Sequence, residues 1–222
     1  MMHQRISKKI IIYLFIFVTL VTITNNKPSS NFYTIKEFNI NGLNILETSK
    51  IHDDLRILKN INIFLLDKKK ITKKIYSYKI IEKIKIFKNY PSTLNIEIKK
   101  TKFLAITKKN NIDYLIGANG NLIKVNDTIS DLPYIFGNID VNNFLYFKEI
   151  IDNSNFRFND MENLYYFKSN RWDVITKGGL TLKMPSNLTV KKLNLMFKII
   201  QENDFNDNKI IDFRQSDMMV IN

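Results

Sequence analysis

The sequence contains no cysteine, and this absence removes several kinds of chemistry at once. Without thiols the chain can form no disulfide bond, offers no thiolate nucleophile and has no cysteine ligand for a metal. Histidine is nearly as scarce, because only His3 and His52 are present. No catalytic triad and no metal cluster can be built around either of them. We therefore expect no enzyme activity, no cofactor and no metal, and a fold stabilised by packing alone.

Glycine and proline are also few, six and four respectively, and no glycine-rich phosphate-binding loop occurs. Asp53 and Asp54 are adjacent on a predicted helix and point in different directions, so they do not form a paired acid and base. Asp204 and Asp207 follow a predicted helix and are interpreted as turn formers. The acidic residues thus add no candidate active site.

Acidic residues are outnumbered, with 21 Asp and Glu against 34 Lys and Arg, for a net charge of +13. The lysines are spread along the chain and no nucleic-acid-binding motif is present, so we expect no nucleic acid and no small-molecule substrate as partners. A basic surface could attract anionic lipids or acidic wall polymers, although a codon bias towards Ile, Lys and Asn explains the charge equally simply. With 45% hydrophobic residues, the chain can bury a core.

The longest run without a charge is 10–26, between Lys9 and Lys27. As a helix it would reach about 25 Å, slightly less than the hydrocarbon core of a bilayer. We expect an uncleaved transmembrane helix; a cleaved signal peptide and a buried helix are the alternatives. The basic residues before the run predict that residues 1–9 form a cytoplasmic stub. Everything after Lys27 is then extracytoplasmic or periplasmic, anchored in the cytoplasmic (inner) membrane.

The residues from 33 to 101 predict an α+β domain with two helices on a three-stranded sheet, in the order β-α-α-β-β. Alternating apolar residues indicate the strands, and apolar residues three or four apart indicate the helices. The strand residues are Phe38, Ile40, Ile84, Ile86, Leu94, Ile96 and Ile98, and the helix residues are Ile51, Leu55, Leu58, Ile71, Ile75 and Tyr78. We expect Thr48 or Ser49 to cap the first helix and Asp67 the second.

The residues from 102 to 222 predict a β-rich domain with helices packed on the sheet. The Asn119-Gly120 pair predicts a type I′ hairpin turn, because both residues tolerate a positive φ. Leu132–Gly137 is interpreted as a loop, Asp140 as a helix cap and Thr189–Gln201 as the last helix. The predicted strands are 104–107, 114–116, 122–124, 164–167, 172–176, 180–184, 210–214 and 218–221.

Six short motifs follow one another along the chain: Phe38-Asn39-Ile40-Asn41-Gly42, Tyr90-Pro91-Ser92-Thr93-Leu94-Asn95-Ile96, Gly120 with Leu122-Ile123, Leu132-Pro133 with Gly137, Arg171-Trp172-Asp173-Val174 and Ile211-Asp212-Phe213-Arg214. In this order the motifs resemble those of the FtsQ/DivIB family of bacterial cell-division proteins, which carry a POTRA domain and an FtsQ-type β domain. Where the family tends to show Glu-Arg-x-Pro before an alanine, this chain has Lys99-Lys100-Thr101-Lys102 and then Phe103-Leu104-Ala105, without the acid and the proline.

The resemblance implies a non-enzymatic scaffold at the division septum, whose exported β domain binds a complex of FtsB and FtsL type. Two other interpretations remain open on the sequence. A POTRA-bearing subunit of a transport or secretion system would share the first domain. An anchored cell-wall-binding protein would use the positive charge.

Three groups of residues in the β-rich domain are candidates for partner binding or for its support. The terminal stretch Met218, Met219, Val220 and Ile221 predicts a last strand, whose free edge could pair with an incoming strand. The resemblance implies that the partner binds this strand; an ordinary covered strand is the alternative. Asp212 and Arg214 share a strand face and could pair, which by itself indicates a structural role. The resemblance implies that this pair, which precedes the last strand, would position that strand. Trp172 is expected in the core, or else as an exposed partner contact.

Overall fold

The computed structural model describes residues 8–25, 32–125, 131–202, 210–215 and 220–221. The chain divides into two compact units. The first comprises residues 1–75 and 84–98, and the second comprises residues 76–83 and 99–222. Each unit has its own sheet, and each is described by itself.

Helix α1, Lys8–Asn25, covers most of the apolar run. No helix in the described residues is both long enough and apolar enough to cross a membrane. The transmembrane helix predicted for residues 10–26 is therefore not confirmed. The helix has 18 residues and starts with two lysines, and residue 26 lies outside the described part of the chain.

The first unit contains the predicted three-stranded sheet, in the order β1-β3-β2. Its strands are β1 (Glu37–Asn41), β2 (Ile81–Asn89, of which residues 84–89 belong to this unit) and β3 (Thr93–Lys100). Strand β1 pairs in parallel with β3, so that Phe38 faces Leu94 and Ile40 faces Ile96. The apolar alternation in β3 is confirmed, because Leu94, Ile96 and Ile98 are all buried.

Two helices, α2 (Ile45–Leu55) and α3 (Lys68–Tyr76), supply the rest of this core. The cap predicted for α2 is wrong by one helical turn. Asn44, rather than Thr48 or Ser49, accepts a hydrogen bond from the Glu47 backbone N–H at 2.8 Å, and the Glu47 carboxylate accepts one from the Asn44 N–H. This reciprocal capping box satisfies two backbone donors that would otherwise lack partners. The predicted cap of α3 is confirmed, since the Asp67 side chain accepts from the Lys69 N–H at 2.9 Å.

The second unit is built on a nine-stranded sheet in the described residues, in the order β12-β11-β10-β9-β8-β7-β4-β5-β6. Three neighbouring pairs, β4 with β7, β7 with β8 and β10 with β11, are parallel, and the others are antiparallel. The strands are β4 (Phe103–Lys109), β5 (Ile112–Gly117), β6 (Leu122–Lys124), β7 (Tyr134–Phe136), β8 (Met161–Phe167), β9 (Arg171–Thr176), β10 (Thr181–Lys183), β11 (Ile210–Asp212) and β12 (Val220–Ile221).

The stretch predicted as a loop at Leu132–Gly137 contains strand β7, in the middle of this sheet. Three residues are too few to show a strand pattern, and Pro133 and Gly137 on either side favour a turn. Gly137 adopts φ +107°, and a β-carbon there would lie 2.3 Å from the Tyr166 carbonyl oxygen. The close approach of β8 therefore requires glycine at this position.

The hairpin between β5 and β6 forms as predicted, but its turn is not type I′. Gly120 has a positive φ of 77°, whereas the φ of Asn119 is not positive. The hairpin with two positive φ angles is the one between β4 and β5, where Asn110 has φ 51° and Asn111 has φ 60°. Asparagine tolerates this region because its short side chain can hydrogen-bond locally.

Helix α4 (Val141–Asp152) connects β7 with β8, helix α5 (Val190–Glu202) connects β10 with β11, and both bury their apolar residues in one core with the sheet. The predicted Asp140 cap of α4 is confirmed, with its carboxylate accepting from the Asn142 N–H at 3.4 Å. Both helices thus cover the same face of the sheet. We call the opposite face, on which no helix packs in the described part of this unit, the open face.

Candidate partner-binding edge of the second sheet

Strand β12 lies at one edge of the nine-stranded sheet. It pairs antiparallel with β11, with Val220 opposite Asp212 and Ile221 opposite Ile211. No strand lies beyond β12 in the described part of the sheet, so one side of its backbone is available to an incoming strand. Met218 and Met219 lie outside the described residues. The structure therefore places the described half of the predicted binding stretch at a sheet edge.

A row of charged side chains crosses the open face and leads to this edge. Strand register aligns Asp173 of β9 with Lys183 of β10, and Lys183 with Asp212 of β11. Asp212 in turn lies opposite Val220 of β12. We call Asp173, Lys183 and Asp212 the charged row. Its three residues come from three strands and are adjacent only because β10 and β11 are parallel.

Two arginines pair with the acids of the charged row. The Arg171 Nε lies 3.2 Å from Asp173 Oδ1. The Arg214 Nε lies 2.8 Å from both carboxylate oxygens of Asp212, so the pair predicted from the sequence is present. Because such forked pairs fix the geometry of both side chains, Arg214 holds Asp212 directly beside the edge strand.

The two carboxyl groups have opposite pKa shifts. Burial raises the pKa of Asp173 above its ordinary value, and the positive charge of Arg171 acts against this effect. Hydrogen bonds from Arg214 lower the pKa of Asp212 below its ordinary value. Desolvation is therefore the larger influence on the pKa of Asp173, inside the sheet, and hydrogen bonding is the larger influence on the pKa of Asp212, beside the edge strand.

Aromatic rings lie beside the charged row on the open face. Phe136 stacks on Tyr165 with 4.8 Å between ring centroids, and Tyr134 lies 4.7 Å from Phe136. Phe167 is 37% exposed and carries the Arg171 guanidinium 4.2 Å above its ring. The sequence prediction missed this strip because half of it belongs to β7, which was interpreted as a loop.

The Tyr134 hydroxyl donates a hydrogen bond of 2.7 Å to Asp113 Oδ1. Burial, together with this hydrogen bond and the nearby negative charge, raises the pKa of Tyr134 to about 12. The phenol therefore stays protonated at neutral pH and acts as a hydrogen-bond donor, so it does not supply a base.

Trp172 lies in the core and is only 5% exposed. Its ring stacks on Phe147 of α4 at 4.4 Å between centroids and lies 4.9 Å from the Tyr166 ring. The core alternative for Trp172 is therefore the one that the structure supports. His52 lies in the first unit, edge-on to Phe38 at 6.0 Å.

A cleft of about 260 Å³ opens above these rings, between α4 and the hairpin joining β8 and β9. Asn143, Tyr146, Asn170 and Ser186 contribute to its lining. The Asn143 amide donates to the Tyr166 hydroxyl at 3.0 Å, which in turn donates to Asn170 Oδ1 at 2.5 Å. Within the described residues no group of three or more acidic or histidine side chains is placed to bind a metal ion.

Two family models match this chain in succession. The POTRA domain, FtsQ-type, matches residues 33–100, and the C-terminal domain of cell division protein FtsQ/DivIB matches residues 105–214. The chain belongs to the FtsQ/DivIB family of bacterial cell-division proteins. The second match covers the charged row and both arginines and ends at Arg214, before β12.

Relatives within the FtsQ/DivIB family are named cell division protein DivIB. The chain is 28% identical to that of Clostridium botulinum (strain Hall) over 133 residues, 60% of this chain and 51% of the relative. It is 28% identical to that of Bacillus subtilis (strain 168) over 140 residues, 61% of this chain and 51% of the relative. For Staphylococcus aureus (strain NCTC 8325) the identity is 31% over 105 residues, 46% of this chain and 24% of the relative.

The matched part of this FtsQ/DivIB-family chain thus spans about half the length of the first two relatives, and about a quarter of the third. Among solved structures, the major extracytoplasmic domain of DivIB from Geobacillus stearothermophilus is 14% identical. It covers 48% of this chain and 98% of its own, with a TM-score of 0.34. A TM-score this low supports no structural argument.

Proposed function

We propose that this chain is a non-enzymatic scaffold of the division machinery that binds a complex of FtsB and FtsL type through the second unit. The observation that carries the proposal is the place of β12 at the edge of the sheet, beside the charged row. Membership of a cell-division family supports the biological context. The binding mode we propose is the addition of a partner strand to β12.

Main-chain hydrogen bonds would supply affinity in this mode, and the charged row would supply specificity. Asp212 and Arg214 lie next to β12, so charged side chains on an incoming strand would meet them first. Partners confined to one membrane gain effective concentration, so modest edge contacts are sufficient.

Proline substitutions at Val220 and Ile221 test strand addition directly. Adjacent residues of a strand direct their N–H groups to opposite sides, so one proline removes an outward donor and the other an inward donor to β11. We expect the outward variant to fold normally and to bind the partner complex at least about tenfold more weakly. Binding and thermal unfolding are measured together on the purified chain.

The matched control is Lys124→Pro in β6, at the other edge of the same sheet. It should leave partner binding unchanged. If both β12 variants and a chain lacking 218–222 remain folded and bind the partner normally, the edge-strand proposal is wrong. In cells, depletion of the protein should give filaments; normal division combined with an export defect would point to a transport subunit.

We also propose that the chain is attached to the cytoplasmic membrane through the apolar run of α1, with its N-terminus in the cytoplasm. The apolar side chains from Ile10 to Phe17 are exposed on all sides of this helix, between 46% and 69%. A helix that is apolar all round is normally buried in protein or lipid. The basic residues at its start favour the cytoplasmic side.

Because the chain has no cysteine, a single Ser186→Cys variant reports topology without background. Ser186 is exposed, so a membrane-impermeant maleimide should label it in cells whose cytoplasm is sealed. Labelling only after cell lysis would contradict the topology. Release of the protein by alkaline carbonate would contradict the attachment.

A further inference from the structure

Four aromatic rings form a continuous cluster on the first unit. Phe32 meets Tyr33 edge-on at 5.1 Å, Tyr33 meets Phe64 at 5.3 Å, and Phe64 stacks on Tyr90 at 4.7 Å between centroids. Leu65 follows Phe64 in the chain. We call these five residues the aromatic cluster.

The backbone that carries the aromatic cluster is held in place by hydrogen bonds. The Ile63 N–H donates to the Tyr33 carbonyl at 2.8 Å, and the Phe64 N–H donates to the Asn62 side chain at 2.9 Å. Two separate segments of the unit are thus tied together beneath the rings. The cluster is a preformed surface, so binding would require little ordering of the chain.

The rings are contiguous, and the described residues of their own unit leave them partly exposed. Phe32 is 50% exposed, Phe64 53%, Tyr90 54% and Leu65 80%. Isolated apolar residues on a surface are common and need no explanation, whereas a contiguous patch indicates contact with a partner or a lipid.

A positive charge lies at the border of the aromatic cluster, where the Lys88 ammonium donates to the Phe64 carbonyl at 3.2 Å. Lys68 follows Leu65 by three residues, and its ammonium donates at 2.9 Å to the carbonyl of Ile86, two residues before Lys88 in β2. Aromatic rings bordered by lysines match the headgroup region of a bilayer, where the rings lie at the apolar boundary and the ammonium groups meet anionic headgroups.

The sequence also places this cluster close to α1. The helix ends at Asn25 and the first ring belongs to Phe32, seven residues later. Even a fully extended chain of seven residues reaches only about 25 Å. If α1 is attached to a membrane, the aromatic cluster cannot be far from its surface.

We propose that the aromatic cluster is a lipid-binding surface that rests on the anionic headgroups of the membrane. This inference depends on the proposed attachment of α1. It assigns to the first unit a contact that sets its orientation against the bilayer. Partner binding by β12 does not depend on it.

The test uses the full chain in vesicles of phosphatidylcholine and phosphatidylglycerol that contain brominated lipids. Single cysteines replace Leu65 in the cluster, Ile45 as a control and Phe15 in α1, and each is labelled with bimane. Ile45 is matched to Leu65 because it is apolar and 88% exposed. It follows the far end of β1, a strand about 13 Å long that leads away from the cluster.

We expect the brominated lipids to quench the bimane fluorescence at position 65 at least about three times as strongly as at position 45. Phe64→Ser together with Tyr90→Ser should lower the quenching at position 65 to the level of the control. The label at position 15 should be unaffected. Thermal unfolding of the double variant verifies that the unit remains folded.

Three results would overturn the proposal, each in a different way. Equal weak quenching at positions 65 and 45, with strong quenching at position 15, would show that α1 is attached and that the cluster does not touch lipid. Weak quenching at position 15 would refute the attachment itself. Shielding of position 65 only after addition of an FtsB and FtsL type complex would make the cluster a protein contact and refute lipid binding.

Discussion

Replacing Phe147 by alanine tests whether the helix layer holds the second sheet in place. Phe147 is 2% exposed on α4, and its ring stacks on the only tryptophan, Trp172. We expect Phe147→Ala to destabilise the second unit strongly. The substitution changes no residue of the β12 edge.

The magnitude follows from the burial of this ring. Truncating a buried phenylalanine to alanine costs about 3–5 kcal/mol through lost transfer energy and the cavity that remains. This cost includes the ring contact with Trp172, since aromatic pairs contribute about 0.5–1.5 kcal/mol. The unfolding equilibrium constant should rise by roughly two to three and a half powers of ten, because about 1.4 kcal/mol corresponds to a factor of ten.

Tryptophan fluorescence during urea denaturation is a direct assay, since Trp172 is the sole tryptophan and belongs to this unit. The matched control is Tyr146→Ala, the neighbouring aromatic residue of α4, which is 64% exposed. Its cost should stay within about 0.5 kcal/mol. Equal costs for the two variants would refute the packing argument for α4.

Four further substitutions test the backbone at two glycines and the two acids of the charged row. Gly42→Ala places a β-carbon 1.8 Å from the Ile98 carbonyl oxygen at φ +99°, so it should lower the first unit's free energy of unfolding by at least about 2 kcal/mol. Gly179→Ala, with a similar φ of +84° and no atom within 4 Å, should cost less, and equal costs would contradict the steric argument. Because burial raises the pKa of Asp173, its negative charge is unfavourable in the folded state at neutral pH. Asp173→Asn should therefore raise the free energy of unfolding at pH 7. This gain should vanish as the pH falls through the pKa of Asp173 in the folded state towards 3.8, its ordinary value. Asp212 has a lowered pKa, so Asp212→Asn should lower the free energy of unfolding at pH 7. The variant should approach the wild type as the pH falls below 3.8 and through the lower pKa of Asp212 in the folded state. Identical pH profiles for the Asp173 and Asp212 variants would refute the opposite directions of the two pKa shifts.

Elements with long apolar periodicity were predictable from the sequence. The apolar stripe of α4 and the apolar alternation of β3 each repeat over enough residues to be distinguished from a chance arrangement of apolar residues. The Asp140 and Asp67 caps were also predictable, because an acidic residue directly precedes the first helical residues in both cases. The pair of Asp212 and Arg214 follows from the spacing of two residues within one strand.

Short and irregular features were not predictable from the same patterns. Strand β7 has only three residues between a proline and a glycine, so its pairing with two neighbours defines it. Asn44 was missed as a cap because the first buried residue of α2 is Ile51, six residues after the helix begins at Ile45. The turn at Asn110-Asn111 lacks the glycine that usually marks a type I′ hairpin.

The amino-acid sequence by itself determined the family and the α+β class, since the motifs and periodicities are local properties of the chain. It also determined which residues carry charge near the C-terminus. Only the tertiary structure decided that Asp173, Lys183 and Asp212 form a row leading to an edge strand. The reason is that strand order depends on the parallel connection through α5, and contacts between strands distant in sequence leave no local pattern.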